Sequence, residues 1–362
     1  MLKGRLARRG FDWWWHSLVA TDAETGERKP FFIEYYAVNP GLATEEPRLG
    51  QSDEAKKAGA RPCYAMIKAG TWGADAAQLH GFYPVSAFRA SRNGLDASIG
   101  DNVVDEERLI GSVTVAPEQA ARKEYMCDSG SMSWDLRAEK TIAYSVGYGA
   151  SRFMRAIGAF SMYWHVGGMR TRYSGTIVWN GRRYLVDPTT SCGYQDKNWG
   201  RDFTDEWVWL NCNDFVREGT GEKADASLDV GGAKPVAFGL KMPRNLLVAF
   251  YLDGKMYEFN FSKFWTKPKV GFECGTEGDF VTWSIDAVRG EDKLELRFRC
   301  SKKGMLKVNY ENPDGMRFHR ELWNGGFASG TARLYSRDGG GWRLVEALEG
   351  KFGGCEYGRA TR

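Results

Sequence analysis

GTIVWNGRRYLVDPTTSCGYQDKNWGRDFTDEWVWLNCNDF, residues 175–215, carries the pattern from which the fold is read. Its first third is two β-rich runs around Asn180-Gly181. That dipeptide suits the two left-handed positions of a tight hairpin turn. The design recurs at 246–261 around Asp253-Gly254 and at 332–348 around the Asp-Gly-Gly of 338–340. Residues 293–300, KLELRFRC, alternate apolar and charged side chains, as a half-buried strand does. The 44 glycines fit sheets with many turns. Helical patterning is confined to short stretches at 51–59 and 150–162. The polar, glycine-rich run 217–235 reads as a loop. These signs predict an all-β protein.

At 362 residues the chain is too long for one small core, so two domains or one large β architecture are expected. Hydrophobic residues make up 43% and charged residues 27%, a globular rather than a disordered composition. Fifty basic residues are mixed among 46 acidic ones, so nucleic acid is not an expected partner. Seven cysteines, an odd number with no CxxC spacing, predict free thiols in a reducing compartment, and a cytoplasmic location is expected. No HExxH, no GxGxxG after a strand and no GxxxxGK[ST] occurs, so neither a metal nor a nucleotide cofactor is expected. No apolar run is long enough to span a membrane, which leaves room for a peripheral membrane contact. The oligomeric state has no signal in the sequence.

An internal echo supports two similar halves. Phe11-Asp12-Trp13-Trp14-Trp15 opens an apolar run near the start, and Phe203 followed by acids, Trp207 and Trp209 opens another after the midpoint. In each, Trp-x-Trp places two indoles on one face of a strand. The expected domains are 1–193 and 194–362, with GYQDKNWG (193–200) at the hand-over.

The densest polar cluster beside aromatics is Asp196, Lys197 and Asn198. An acid in an apolar, Trp-lined setting keeps its proton and suits it to protonate a weak base such as an alkene. Lys197 opposes this if its ammonium is near. The alternative is a polar turn, with Asp196 accepting backbone hydrogen bonds. His16 and His165 are further acid–base candidates. His16 is expected on the face opposite Trp13 and Trp15. Glu34, in FFIEYYAV, shares a face with Phe32 and Tyr36 and is the fourth candidate. Asp187, before Pro188, reads as a turn residue.

Taken together, these stretches resemble the tocopherol cyclase family. Its members carry a strand-turn-strand, then Tyr-x-Glu-Lys-Asn-Trp-Gly, then Phe-Pro-x-x-Trp-x-Trp-x-Gln-Cys-Asn. Tyr194, Lys197, Asn198, Trp199, Gly200, Phe203, Trp207, Trp209, Cys212 and Asn213 match that block. FDWWWHSL…FFIEYYAVNPG is similar to the family's opening Phe-Glu-Gly-Trp-Tyr segment and the strand after it, and YLDGKMYEF to a later hairpin. The chain departs from the pattern at Asp196 (Glu in the family), Thr204 (Pro) and Asn211 (Gln). Aspartate keeps the carboxylate and shortens its reach.

The resemblance implies two lipocalin-like antiparallel barrels in tandem, an architecture distantly shared with carotenoid hydratases. It also implies cofactor-free protonation of a prenyl double bond, with capture of the tertiary cation by a phenol oxygen. The expected function is therefore acid–base cyclisation, hydration or isomerisation of a hydrophobic unsaturated small molecule, with Asp196 as the acid. Trp13, Trp15, Tyr36, Tyr194, Lys197, Asn198, Trp199, Trp207 and Trp209 are the expected substrate-binding residues. The rival is a lipocalin-type carrier without catalysis. A titratable group directed into the cavity favours the enzyme.

Overall fold

Strand alternation governs the computed structural model, which describes residues 2, 4–91, 93–147, 151–204, 206–316 and 318–359. Two large sheets account for nearly all of it, and the ladders within them are antiparallel. The first runs from edge strand Ala77–Tyr83 through Tyr64–Thr71, Arg28–Val38, Phe11–Asp22 and Arg182–Val186 to the long strands Met162–Trp179 and Gly130–Tyr144. Arg108–Val115 and three short strands follow. It curls until Ala77–Tyr83 lies against Arg108–Val115. There Val113 Cγ2 stands 3.2 Å from where a Cβ on Gly81 would sit. The second sheet runs from Lys255–Asn260 through Asn245–Leu252, Ala226–Ala233 and Glu206–Cys212 to the paired long strands Gly341–Arg359 and Phe318–Asp338, then Asp292–Ser301, Phe280–Arg289 and Lys269–Glu277. These are the two tandem lipocalin-like barrels expected.

The predicted hairpins form where the turn chemistry places them. Asn180 (φ 49°) and Gly181 (φ 82°) take the left-handed conformation, as do Asp253 (φ 44°) and Gly254 (φ 89°). The two stretches with helical patterning form the short helices Asp53–Lys57 and Arg152–Ala156, capped by the Ser52 and Ser151 hydroxyls. All seven cysteines are free. Among the described residues no helix is long and apolar enough to cross a membrane.

Three readings of the sequence need correction, the first of them one of two left open. GYQDKNWG is no turn: Gly193–Gly200 is a strand held between Phe11–Asp22 and Met162–Trp179. The chain changes sheet between Gly200 and Glu206, later than residue 193. The run 217–235 is no mere loop, because Ala226–Ala233 is an interior strand of the second sheet. Its glycines mimic turn signals, but Gly231 is there for close packing. A Cβ on it would lie 2.5 Å from the Trp164 indole.

Three apolar clusters follow from the alternation. Trp14, Leu18, Ile33, Tyr35, Trp134 and Tyr173 fill the first barrel. Val208, Leu210, Val230, Val248, Phe250 and Trp283 fill the second. The third lies between the barrels and holds Trp13, Trp15, Phe32, Tyr36, Trp207, Trp209 and Tyr310. The opening strand of each sheet is thus buried on both faces. One set of residues goes to its own barrel and the Trp-x-Trp set goes to the seam. Trp13 stacks on Trp207 (5.5 Å, 10°), and Trp15 meets Trp209 edge-on (6.4 Å, 82°). Trp13 is 2% exposed and also stacks on Tyr310 at 4.7 Å. Trp13→Ala is expected to cost ~3–5 kcal/mol, as large-to-small changes of buried aromatics do, measured by urea denaturation. A loss below about 1 kcal/mol would contradict a seam held by this stack.

Candidate active site

Ladder register sets out the seam residues in rows. Lys68, Glu34, Trp15 and Asp196 stand side by side on four adjacent strands of the first sheet. The neighbouring row is Met66, Tyr36, Trp13, Asn198 and Trp164. On the second sheet, Leu247, Gly231, Trp209, Glu356 and Asn324 make the matching row. The central tryptophan of each barrel therefore has a carboxylate on the strand beside it: Asp196 next to Trp15, and Glu356 next to Trp209.

A cavity of about 160 Å³ opens between these rows. Trp13, Trp15, Tyr163, Trp164, Trp207, Trp209 and Leu247 line it, and Asp196, Asn198 and Glu356 supply its polar groups. Oδ2 of Asp196 accepts hydrogen bonds from Trp164 Nε1 (2.7 Å), the Tyr194 hydroxyl (3.1 Å) and Asn198 Nδ2 (3.2 Å). Oδ1 is buried and has no hydrogen-bond partner among the described residues. Burial pushes this carboxyl up to about 7. The three donors pull against that shift, and the Glu34 charge adds to it. Glu356 is pushed up to about 8, first by burial, then by the Asp196 charge, although Asn324 Nδ2 donates to Oε1 at 2.6 Å. Asp229, whose Oδ1 accepts from Trp209 Nε1 at 3.2 Å, is raised well above the carboxylate range, again chiefly by burial. The indole N–H groups of Trp13 and Trp15 are also buried without a hydrogen-bond partner among the described residues.

Of the four acid–base candidates, Asp196 is the one that lines this cavity. Glu34 lies on the seam face, as alternation predicted. Its Oε2 is held by Lys68 Nζ (3.2 Å) and the Tyr310 hydroxyl (3.0 Å), with Lys68 over the Tyr310 ring. His16 is on the opposite face, inside the first barrel. Its Nδ1 lies 2.8 Å from the Tyr173 hydroxyl, and burial holds its pKa well down. His165 also points away from the seam, into a second cavity of about 1860 Å³ shared with Lys140, Gln195 and Lys197. It is exposed there, and partial desolvation followed by the Lys140 charge lowers its pKa.

The expected substrate-binding residues divide in the same way. Trp13, Trp15, Asn198, Trp207 and Trp209 line the seam cavity. Tyr194 touches Asp196, and Tyr36 is packed in the seam with its hydroxyl on the Glu311 carbonyl (3.3 Å). Lys197 and Trp199 face the other way. Lys197 pairs with Asp12 (2.7 Å) and sits over the Trp14 ring (3.8 Å), while Trp199 stacks on Tyr163 (5.5 Å). Alternation thus removes the anticipated conflict between Lys197 and Asp196, because adjacent strand residues point to opposite faces.

Trp164, Asp229, Gly231 and Glu356 were not among the expected site residues. Asp229 in SLDVGGA and Glu356 in GGCEYGR carry the same signal as Glu34, a lone acid in an apolar or small-residue strand. Trp164 was passed over in favour of its neighbour His165. Among the described residues no group of three or more His, Cys, Asp or Glu is placed to hold a metal ion.

Comparison with known proteins adds the family. The model described as tocopherol cyclase-like matches residues 116–359, about two thirds of the chain. A probable chloroplastic tocopherol cyclase of Oryza sativa subsp. japonica is 31% identical over 148 residues, 40% of this chain and 27% of its own length. A chloroplastic tocopherol cyclase of Zea mays is 27% identical over 145 residues, with the same two shares. The match thus spans about a quarter of the length of these relatives. A solved structure of kievitone hydratase from Nectria haematococca superposes with a TM-score of 0.48 at 12% identity, over 99% of this chain and 93% of that one. With most of its length matched by the family model, from residue 116 across the long strands of the first barrel and through the second, the chain belongs to the tocopherol cyclase-like family.

Proposed function

We propose that the seam cavity is the active site of an acid–base enzyme that protonates an apolar, unsaturated small molecule of prenyl or isoprenoid type, with Asp196 as the acid. The observation that supports this is Oδ1 of Asp196: a carboxyl oxygen without a hydrogen-bond partner among the described residues, in a residue lining an aromatic cavity, whose proton is retained up to about pH 7. A general acid works best with a pKa near the working pH. Addition of the Asp196 proton to one alkene carbon leaves a carbocation on the other. The faces of Trp13, Trp15, Trp207 and Trp209 suit that cation, since ring quadrupoles attract positive charge. An oxygen of the substrate, or of water, then bonds to the cation and gives up its proton to a carboxylate, and the acid is restored. Cyclisation and hydration differ only in the source of that oxygen. Loss of a different proton instead gives the isomerised alkene. Glu356, in the same cavity with an elevated pKa, is the second proton carrier in this reading. Glu34, locked to Lys68 and Tyr310, has a structural part.

A non-catalytic carrier needs no such carboxyl, and burying one has a cost. The folded chain binds the Asp196 proton more tightly than the unfolded chain, whose carboxyl has a pKa near 3.8. The stabilisation from this proton is fully present below about pH 4 and is lost as pH rises through about 7. Asp196→Asn has no such titration. Its stability relative to the parent chain should therefore rise between pH 5 and pH 8, by up to ~1.4 kcal/mol per unit of pH. Urea denaturation at the two pH values measures this, and a constant difference would refute the elevated proton affinity.

With a prenylated hydroquinone as probe, Asp196→Asn should keep binding, read by quenching of tryptophan fluorescence. Its turnover should fall at least ~100-fold. Wild-type kcat should decline as pH rises through about 7, because the acid form is then lost. Undiminished turnover in the variant would remove Asp196 from the role.

Gly231→Ala tests the positioning of the acid. Its Cβ would meet the Trp164 indole at 2.5 Å and displace the N–H that donates to Asp196. Loss of that donor removes an interaction that favours the carboxylate, so the alkaline limb of the kcat profile should move to higher pH. A limb that stays in place would show that Trp164 does not set the proton affinity.

A further inference from the structure

Three segments meet at the outer end of the seam cavity: 151–160, 234–244 and 263–269 with the residues just before it. Phe160, Pro235 and Ser262 line the cavity from these segments and are only partly buried, whereas Trp13 and Trp15 at its inner end are 2–3% exposed. The outer end is therefore the mouth. The first two segments are joined by backbone hydrogen bonds, Ser161 N to the Val236 carbonyl (3.0 Å) and Phe238 N to the Ala159 carbonyl (2.6 Å).

This mouth is apolar where solvent reaches it. Phe153, Ile157, Phe238, Leu240 and Met242 are 60, 49, 66, 71 and 44% exposed, and Trp265 is 61% exposed. Isolated exposed apolar residues are ordinary, but a concentration of this kind marks an interaction surface. Folding does not account for Phe238. It occupies the left-handed region (φ 51°) ahead of Gly239 (φ 79°) in the tight turn closed by the Ala237–Leu240 pair. Asn, Asp or Gly is the usual choice there, and a bulky side chain carries a backbone cost. That cost places an aromatic ring at the tip of a hairpin, pointing into solvent.

Charge identifies the partner. The three segments contain eight lysines and arginines and no aspartate or glutamate, in a chain whose totals are 50 basic and 46 acidic residues; Lys234 and Arg244 pair with Glu206 and Lys263 with Glu258. Arg152, Arg155, Lys241, Lys267 and Lys269 are exposed among the apolar side chains. Apolar side chains that enter the acyl boundary, flanked by cations at headgroup level, are the composition of an interfacial membrane anchor. We infer that the mouth of the seam cavity docks on an anionic lipid bilayer, with the 153–157 segment and the 236–241 hairpin entering the interface. The cavity then opens towards the phase in which an apolar substrate is dissolved. The route for substrate rests on the function proposed above, whereas the membrane contact stands by itself.

The test is co-sedimentation of the full chain with phosphatidylcholine vesicles, with and without about a quarter phosphatidylglycerol. The wild-type chain should bind the anionic vesicles at least ~10-fold more tightly than the neutral ones, and added salt should weaken that binding. The triple variant Phe153→Ser, Phe238→Ser, Leu240→Ser changes exposed side chains only, so circular dichroism should be unaltered, and it should lose at least ~10-fold in affinity for anionic vesicles. Arg152→Glu with Arg155→Glu should weaken binding in the same assay. The inference is overturned if the wild-type chain does not sediment with anionic vesicles, or if the triple variant binds as tightly as the parent. It is also overturned if the wild-type chain self-associates through this face, the triple variant does not, and neither binds vesicles. No substrate is present in the assay, so a failed role for Asp196 leaves the result standing.

Discussion

Trp13 stacked on Trp207, and Trp15 set edge-on to Trp209, join two barrels that otherwise have separate cores. The constraint comes from the period of a strand. A strand lining a barrel sends every second side chain inward, and its other face must meet water or a second layer. Here the outward residues are indoles, so the opening strands of the two sheets have to cover one another. Indoles are large and rigid and do not fill the seam completely. The residual space lies beside the flanking strands, which is where Asp196 and Glu356 stand.

The placement of these acids is energetically adverse. A carboxyl without a full set of donors inside an aromatic seam is stable only when protonated, and two or three such groups near one another raise each other's proton affinity further. The Glu34–Lys68–Tyr310 contact in the same seam is a different arrangement, in which a cation and a hydroxyl face the acid and oppose the upward shift that burial imposes on it. The first sheet thus has both kinds of acid in one ladder row, on either side of Trp15. Packing alone would favour an amide or an apolar residue at position 196, as it does at most seam positions. The two acids beside Trp15 differ in what faces them, a cation and a hydroxyl at Glu34 and three neutral donors at Asp196, and each keeps one oxygen without a partner among the described residues.

Much of this was legible in the sequence because it depends on local periodicity. Asn180-Gly181 and Asp253-Gly254 marked hairpins through backbone sterics, and Trp-x-Trp in two places marked the two halves. Opposite facing of His16 and Trp15 needed only alternation. What the sequence did not disclose depends on which strands meet. GYQDKNWG looked like a corner because Gly, Asp and Asn favour turns. In the fold, Gly193 and Gly200 are strand residues that allow other strands close approach: a Cβ on them would lie 2.3 Å from the Tyr173 ring and 2.2 Å from the Ser161 carbonyl oxygen. Gly231 and Gly232 disguised a central strand in the same way. Glu356 joins Asp196 only through the pairing of the last long strand with Glu206–Cys212, a contact between Trp209 and Glu356, 147 residues apart, that only the fold establishes. Lys197 seemed to threaten the acidity of Asp196, yet adjacency in sequence is separation across a sheet.

The seam location has a consequence for how such a cavity can accommodate a substrate. Inside either barrel, extra volume would have to come from a packed core, where each lost methylene is felt throughout. Between barrels, volume depends on how two separately cored sheets sit against each other, and a small relative adjustment enlarges the gap without opening either core. The cavity of about 160 Å³ reaches from Asp196 to Phe160 and Pro235. On the function proposed, the reacting end of an apolar molecule would lie beside Asp196 at the more buried end, and the membrane contact inferred would lie at the other. Both proposals depend on two strands that are buried on both faces.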